Sequence, residues 1–161
     1  MIRIGLLVGL LLLTACQPVG SPEPSGAPVL SIKPDIVLVT LDTTRRDVIG
    51  CYGEANAAKT PNLDALCRAG LRFDQAIAVA PVTLPAHASI MTGQYPARHG
   101  ARYNGNFQLA DEASTLAEQL SEQGYRTGAF VSAFVLEHRF GLKQGFAVYD
   151  DTLIRHRADL R

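Results

Sequence analysis

The chain has 161 residues, 47% of them hydrophobic and 19% charged, which is enough apolar material for one globular core and rules out overall disorder. Lysine plus arginine (15) balances aspartate plus glutamate (15), so the formal net charge is zero. With no basic stripe either, nucleic acid is excluded as an expected partner.

The N-terminus differs from everything after it. Met1-Ile2-Arg3 is a short positive start, and Ile4 to Leu13 is apolar throughout or small. A run of about ten residues falls short of the ~20 a membrane-spanning helix needs, and reads as the core of a secretory signal. It ends in Leu13-Thr14-Ala15-Cys16. That tetrapeptide resembles the lipobox of bacterial lipoproteins, which implies that residues 1–16 are a signal peptide and that Cys16 is lipidated. Residues 17–34 are rich in proline, glycine and serine, a spacer that holds a domain off a membrane surface. Gln17 after the cysteine resembles the outer-membrane sorting pattern. The expected location is therefore the cell envelope, exported and lipid-anchored, on the periplasmic face of the outer membrane. Cys51 and Cys67 remain. Export permits a disulfide between them, two unpaired buried thiols are the alternative, and neither has metal-finger spacing.

The folded domain is expected over 35–161. "DIVLVTLD" (Asp35 to Asp42) is a continuous β-branched run that predicts a strand buried on both faces of a parallel sheet, with a carboxylate at its carboxyl end. "TPNLDALCRAG" predicts a helix with Thr60 as N-cap, Pro61 at the first position and Gly70 as the stop. "LRFDQAIAVA" (Leu71 to Ala80) predicts a second strand, and "LPAHASIMTG" a short helix beginning at Leu84. Thr115 to Glu118 is a capping box opening a helix that Gly124 closes. "TGAFVSAF" (Thr127 to Phe134) predicts a third strand. Alternation of strand and helix gives an α/β class with a mainly parallel sheet flanked by helices, and no internal repeat is visible.

Four segments carry a family resemblance: "PDIVLVTLDTTRRDVIGCYG", "TPNLDALCRAGLRFDQAIA", "PVTLPAHASIMTGQYPARHG" and "GYRTGAFVSAF". In order and spacing they resemble the N-terminal part of the sulfatase-like branch of the alkaline phosphatase superfamily. The resemblance implies hydrolysis or transfer of phosphate, phosphonate or sulfate esters at a bound divalent metal, with calcium, manganese and zinc as the candidates.

Asp42 matches the family's first metal-binding aspartate, a hard carboxylate at a strand end; an ordinary helix or strand-end cap is the bland alternative. Many sulfatases have a second aspartate next in the chain, where this one has Thr43. Thr83 falls on the family's nucleophile position. Sulfatases carry there a cysteine or serine that is converted to formylglycine, within a Cys-x-Pro-x-Arg pattern, and this chain reads Thr83-Leu84-Pro85-Ala86-His87. Superfamily phosphodiesterases, phosphonate hydrolases and phosphoglycerol transferases use an unmodified threonine, so the substitution tilts the expectation toward phosphoryl chemistry. Thr83 would then bind the metal and attack the ester, with the N-terminal amides of its helix aimed at the anion. The alternative is that Thr83 only caps that helix.

His87, one turn further on, either donates to an ester oxygen in place of the family's arginine or makes a structural hydrogen bond to a neighbouring loop. Asn104 matches an asparagine that contacts the substrate anion in phosphonate-hydrolase relatives, and a turn asparagine before Gly105 accounts for it equally. Arg98-His99-Gly100 resembles an "RHG" segment of the family and reads as structural support. His138 and His156 have no partner motif and are expected at the surface.

No Asp-His dipeptide is present, although the superfamily closes its metal site with one far downstream. The expectation is an N-terminal fragment of a longer, lipid-anchored hydrolase or transferase, inactive by itself, whose parent continues into the missing ligands and into tetratricopeptide repeats. Two alternatives stand beside it: a genuine sulfatase, and a non-catalytic envelope lipoprotein that keeps the fold as a binding module.

Overall fold

The structure, a computed structural model, describes residues 33–53 and 57–152. The signal peptide, Cys16, nearly all of the spacer, and His156 lie outside the described residues. Among the described residues, 33–39 belong to one compact unit and those from Thr40 onward to another.

Among the described residues four α-helices run in chain order: α1 (Pro61–Ala69), α2 (Thr83–Thr92), α3 (Pro96–His99) and α4 (Leu116–Glu122). Two strands follow, β1 (Gly128–Phe130) and β2 (Val148–Asp150). They pair in parallel with Gly128 opposite Val148 and Phe130 opposite Asp150. Helices around a parallel pair give the expected α/β class.

The helix signals read from sequence operate in the fold. Pro61 opens α1, where its missing N–H costs nothing, and Gly70 ends it. Thr60 stands at the N-cap but does not cap with its side chain. Its hydroxyl donates to Asp64 Oδ1 (2.8 Å) and accepts the Gly50 N–H (2.9 Å), fastening the preceding loop to α1. Cys51 and Cys67 form a disulfide between that loop and the same helix, which decides the open question about the two thiols. Closing a loop of about 15 residues is worth ~3 kcal/mol in the chain-entropy account. The capping box of α4 is complete: Thr115 Oγ1 accepts the Glu118 N–H, and Glu118 Oε2 accepts the Thr115 N–H at 2.8 Å.

The core lies against one face of α2. Leu84 and Ala88, one turn apart and fully buried, pack with Ala101, Leu109, Leu136, Phe140 and Leu142. Gly141 makes this closure possible. It sits at φ 83°, and a Cβ there would collide with the backbone carbonyl of Leu109.

Two predicted strands do not form. Residues 35–42 and 71–80 make no strand pairing among the described residues. Their apolar side chains are open to solvent, with Val37 84%, Leu71 90% and Ile77 88% exposed. A strand is held by neighbours that take its N–H and C=O groups, and β1 and β2 take only each other's. The third predicted strand shortens to β1, because Phe134–Leu136 turns into a 3-10 helix.

Candidate active site

The site assembles where the turn after Leu41 meets the first turn of α2. The Thr44 N–H bonds back to the Leu41 carbonyl at 3.3 Å, so Asp42 and Thr43 occupy the corner. Thr43 adopts φ 57°, the left-handed region that a β-branched residue rarely enters. In that conformation its N–H reaches Asp42 Oδ1 at 2.8 Å and fixes the carboxylate. The other oxygen, Oδ2, accepts the hydroxyl of Thr83 at 2.9 Å. Sequence neighbours and a residue 41 positions away thus hold one carboxylate from two sides.

Thr83 is the first residue of α2, not its cap. Val82 holds the N-cap position in extended conformation, and the Ala86 N–H bonds to its carbonyl at 3.0 Å. No side chain caps this end by the usual contact, so the capping alternative for Thr83 is overturned: its hydroxyl is turned to Asp42. The expectation of several free amides is also corrected. The Leu84 N–H goes to Asn104 Oδ1 at 2.9 Å and Pro85 has none, which leaves the Thr83 N–H to face an anion.

Asn104 therefore caps α2 from a distance and keeps its NH2 group for another acceptor. It is half-buried and lies beside the turn that carries Thr83. His87 is engaged at both ring nitrogens. Nδ1 lies 2.8 Å from the Thr83 carbonyl, which can only accept, so Nδ1 carries the proton. Nε2 then accepts from the Thr40 hydroxyl at 3.1 Å. Of the two roles considered for His87, this geometry is the bond to a neighbouring segment. Thr40 was missed in the sequence, and a signal for it was there: on an extended chain, positions 40 and 42 project to the same side.

His99 is buried, in keeping with a supporting role for the Arg98-His99-Gly100 segment. Burial holds its imidazole below the usual histidine range, opposed by the backbone groups of His99 and Pro85. His138 is exposed as expected but has a partner: Asp151 Oδ2 accepts its backbone N–H (2.7 Å) and sits 2.6 Å from Nδ1. The backbone N–H of His138, and then its ring, lower the Asp151 carboxyl below the usual range. A separate cavity of about 330 Å³, lined by Phe107, Phe134, Arg139 and Phe140 among others, opens just past Asn104 and includes neither Thr83 nor Asp42.

One carboxylate and one hydroxyl are the right kind of donors for a hard divalent cation, which takes about six or more oxygens. They are too few to hold one. Among the described residues no group of three or more histidine, cysteine, aspartate or glutamate side chains is placed to bind a metal.

The sulfatase family model matches residues 34–151, and the chain belongs to that family. It is 36% identical over 124 residues to an ulvan-active sulfatase of Formosa agariphila, covering 77% of this chain and 23% of that protein. It is 32% identical over 128 residues to human arylsulfatase D, covering 73% and 20%. A crystal structure of yidJ from Bacteroides fragilis is 37% identical and covers 52% of this chain and 19% of that one, with a TM-score of 0.48. The chain thus spans about a fifth to a quarter of the curated relatives it matches. It is sulfatase-like by sequence, and its family generally works with a divalent metal.

Proposed function

We propose that the protein is an ester hydrolase of the sulfatase type that acts on sulfate esters through Thr83. The observation that carries the residue assignment is the 2.9 Å hydrogen bond from Thr83 Oγ1 to Asp42 Oδ2. The sulfatase relatives support the sulfate ester, and the phosphoryl preference expected from the threonine alone becomes the second reading. An unmodified hydroxyl at position 83 is the one feature favouring it, since either oxyanion fits the same geometry.

In the reaction, the Thr83 oxygen forms a bond to sulfur as the bond from sulfur to the alcohol oxygen breaks. The hydroxyl proton passes by way of Asp42 to the departing alcohol, and water then releases sulfate and restores Thr83. A carboxylate is a weak base toward an alcohol, so the main work of Asp42 before attack is to orient the oxygen. The Thr83 N–H and the Asn104 amide stand near the developing charge as donors. Asp42 would also supply one ligand to the divalent cation that the family uses. Export and lipid attachment at Cys16 complete the proposal, on the sequence Leu13 to Cys16.

The test is hydrolysis of an aryl sulfate and an aryl phosphodiester by the full-length protein, with and without a chelator. Sulfate cleavage that falls about a thousandfold or more in Thr83→Ala is expected. Cleavage of the phosphodiester alone would replace the first reading by the second. Cleavage of neither would leave the binding module, and activity that survives Thr83→Ala would remove that residue from the chemistry.

A further inference from the structure

The reaction outlined above leaves a buried polar pair unused. His99 and Ser89 are 4% and 7% exposed, and Ser89 Oγ lies 2.9 Å from His99 Nε2. The other ring nitrogen, Nδ1, faces the Ala101 N–H at 3.2 Å. A backbone N–H only donates, so Nδ1 accepts, and the proton on Nε2 is given to Ser89. Too buried to meet a substrate, the pair is no second hydrolytic site. Its place in the fold suggests another use.

Ser89 lies on α2 below Thr83, and Ala101 leads along the chain to Asn104. Ala101 is itself fully buried in the core with Leu84 and Ala88. The stretch from His99 to Asn104 is therefore fastened to α2 at two heights, by His99 on Ser89 and by Asn104 Oδ1 on the Leu84 N–H. We propose that His99 is a positioning residue of the active site: its bond to Ser89 clamps this stretch to α2, its bond from the Ala101 N–H braces the stretch itself, and together they set Asn104 against the turn that presents Thr83. The inference rests on the Thr83 reading above. Losing the clamp frees Asn104 to shift, and small misplacements of a group that meets the developing charge cost rate more than affinity.

A double-mutant cycle on the full-length protein, using kcat for an aryl sulfate, tests it. Ser89→Ala and His99→Gln should each lower kcat about tenfold with a smaller change in KM, and cost less than about twofold when Asn104 is already alanine. Equal losses in both backgrounds would show that His99 acts on stability alone and overturn the inference. So would failure of both variants to fold at the assay temperature. Thr83→Ala run alongside separates the two ideas. Activity retained in that variant sinks the reading of the site and the inference with it, whereas an inactive Thr83→Ala with additive losses sinks only the inference.

Discussion

Helix α2 and the run from Ile36 to Leu41 are both strongly apolar, yet they meet opposite surroundings. Leu84 and Ala88 of α2 are fully buried, while Val37 is 84% exposed and Val39 71%. The difference lies in the backbone more than in the side chains. A helix satisfies its own N–H and C=O groups and needs only one neighbour for its apolar face, which Leu109, Leu136 and Phe140 provide. An extended run needs partner strands on its flanks, and a parallel sheet obtains them only through distant crossovers. Among the described residues α2 finds its contacts and the extended runs do not.

The sharpest way to break this contrast is to cut the two kinds of leucine. Leu84→Ala in the 161-residue chain should cost about 2–5 kcal/mol, because it leaves a cavity against the core. Leu71→Ala, at a side chain 90% exposed, should stay within about 0.5 kcal/mol. Urea unfolding of both variants checks the pair. Similar losses would mean that residues 71–80 are packed after all.

The same contrast explains what could be read from the sequence. Thr60-Pro61 with Gly70, and Thr115 with Glu118, are local signals, and each marks a helix that forms. Residues 35–42 and 71–80 carry strand patterns whose completion depends on residues far away, and there the reading failed. In the site, the motif match singled out Asp42 and Thr83, and the two side chains are hydrogen-bonded at 2.9 Å. It could not show that α2 begins one residue early. That depends on the Val82 carbonyl taking the first helical bond, from Ala86. Nor could it give the partner of His87: the alternation that puts Thr40 on the side of Asp42 does not say which distant residue meets it.

A smaller effect is expected on acidification, and it probes the buried side of the comparison. Burial lowers the folded-state pKa of His99 below its ordinary value of 6.5. As pH falls below about 6.5 the unfolded chain takes up this proton and the folded one does not. Stability should therefore decline with falling pH from that point and level off below the folded-state pKa. Protonation of Nδ1 would also set a donor against the Ala101 N–H. Thermal unfolding of the native chain and of His99→Gln across pH 7 to 5 measures this. The native slope should be the steeper, and parallel curves would show that His99 is not the group responsible. At the alkaline end, Tyr149, half-buried and pushed up to about 12, works in the opposite sense, and stability should fall as pH rises from about 10 toward 12.

The smallest effect is expected at Thr43, which stands at the corner between the extended run and the helix-borne site. Its φ of 57° is unfavourable for a β-branched residue, by roughly 1–2 kcal/mol. Glycine relieves that strain but costs about 0.5–1 kcal/mol of unfolded-chain entropy, so Thr43→Gly should stabilise by less than about 1 kcal/mol. Its effect on the site should be slight, because the N–H that holds Asp42 Oδ1 belongs to the backbone and survives the change. Thr43→Pro removes that N–H and forces φ near −65°, so Asp42 should lose its second anchor and its hold on Thr83 should loosen. Comparing kcat for the two variants in the full-length protein isolates the backbone contribution. A glycine variant as impaired as the proline variant would show that the threonine side chain, and not the corner it occupies, serves the site.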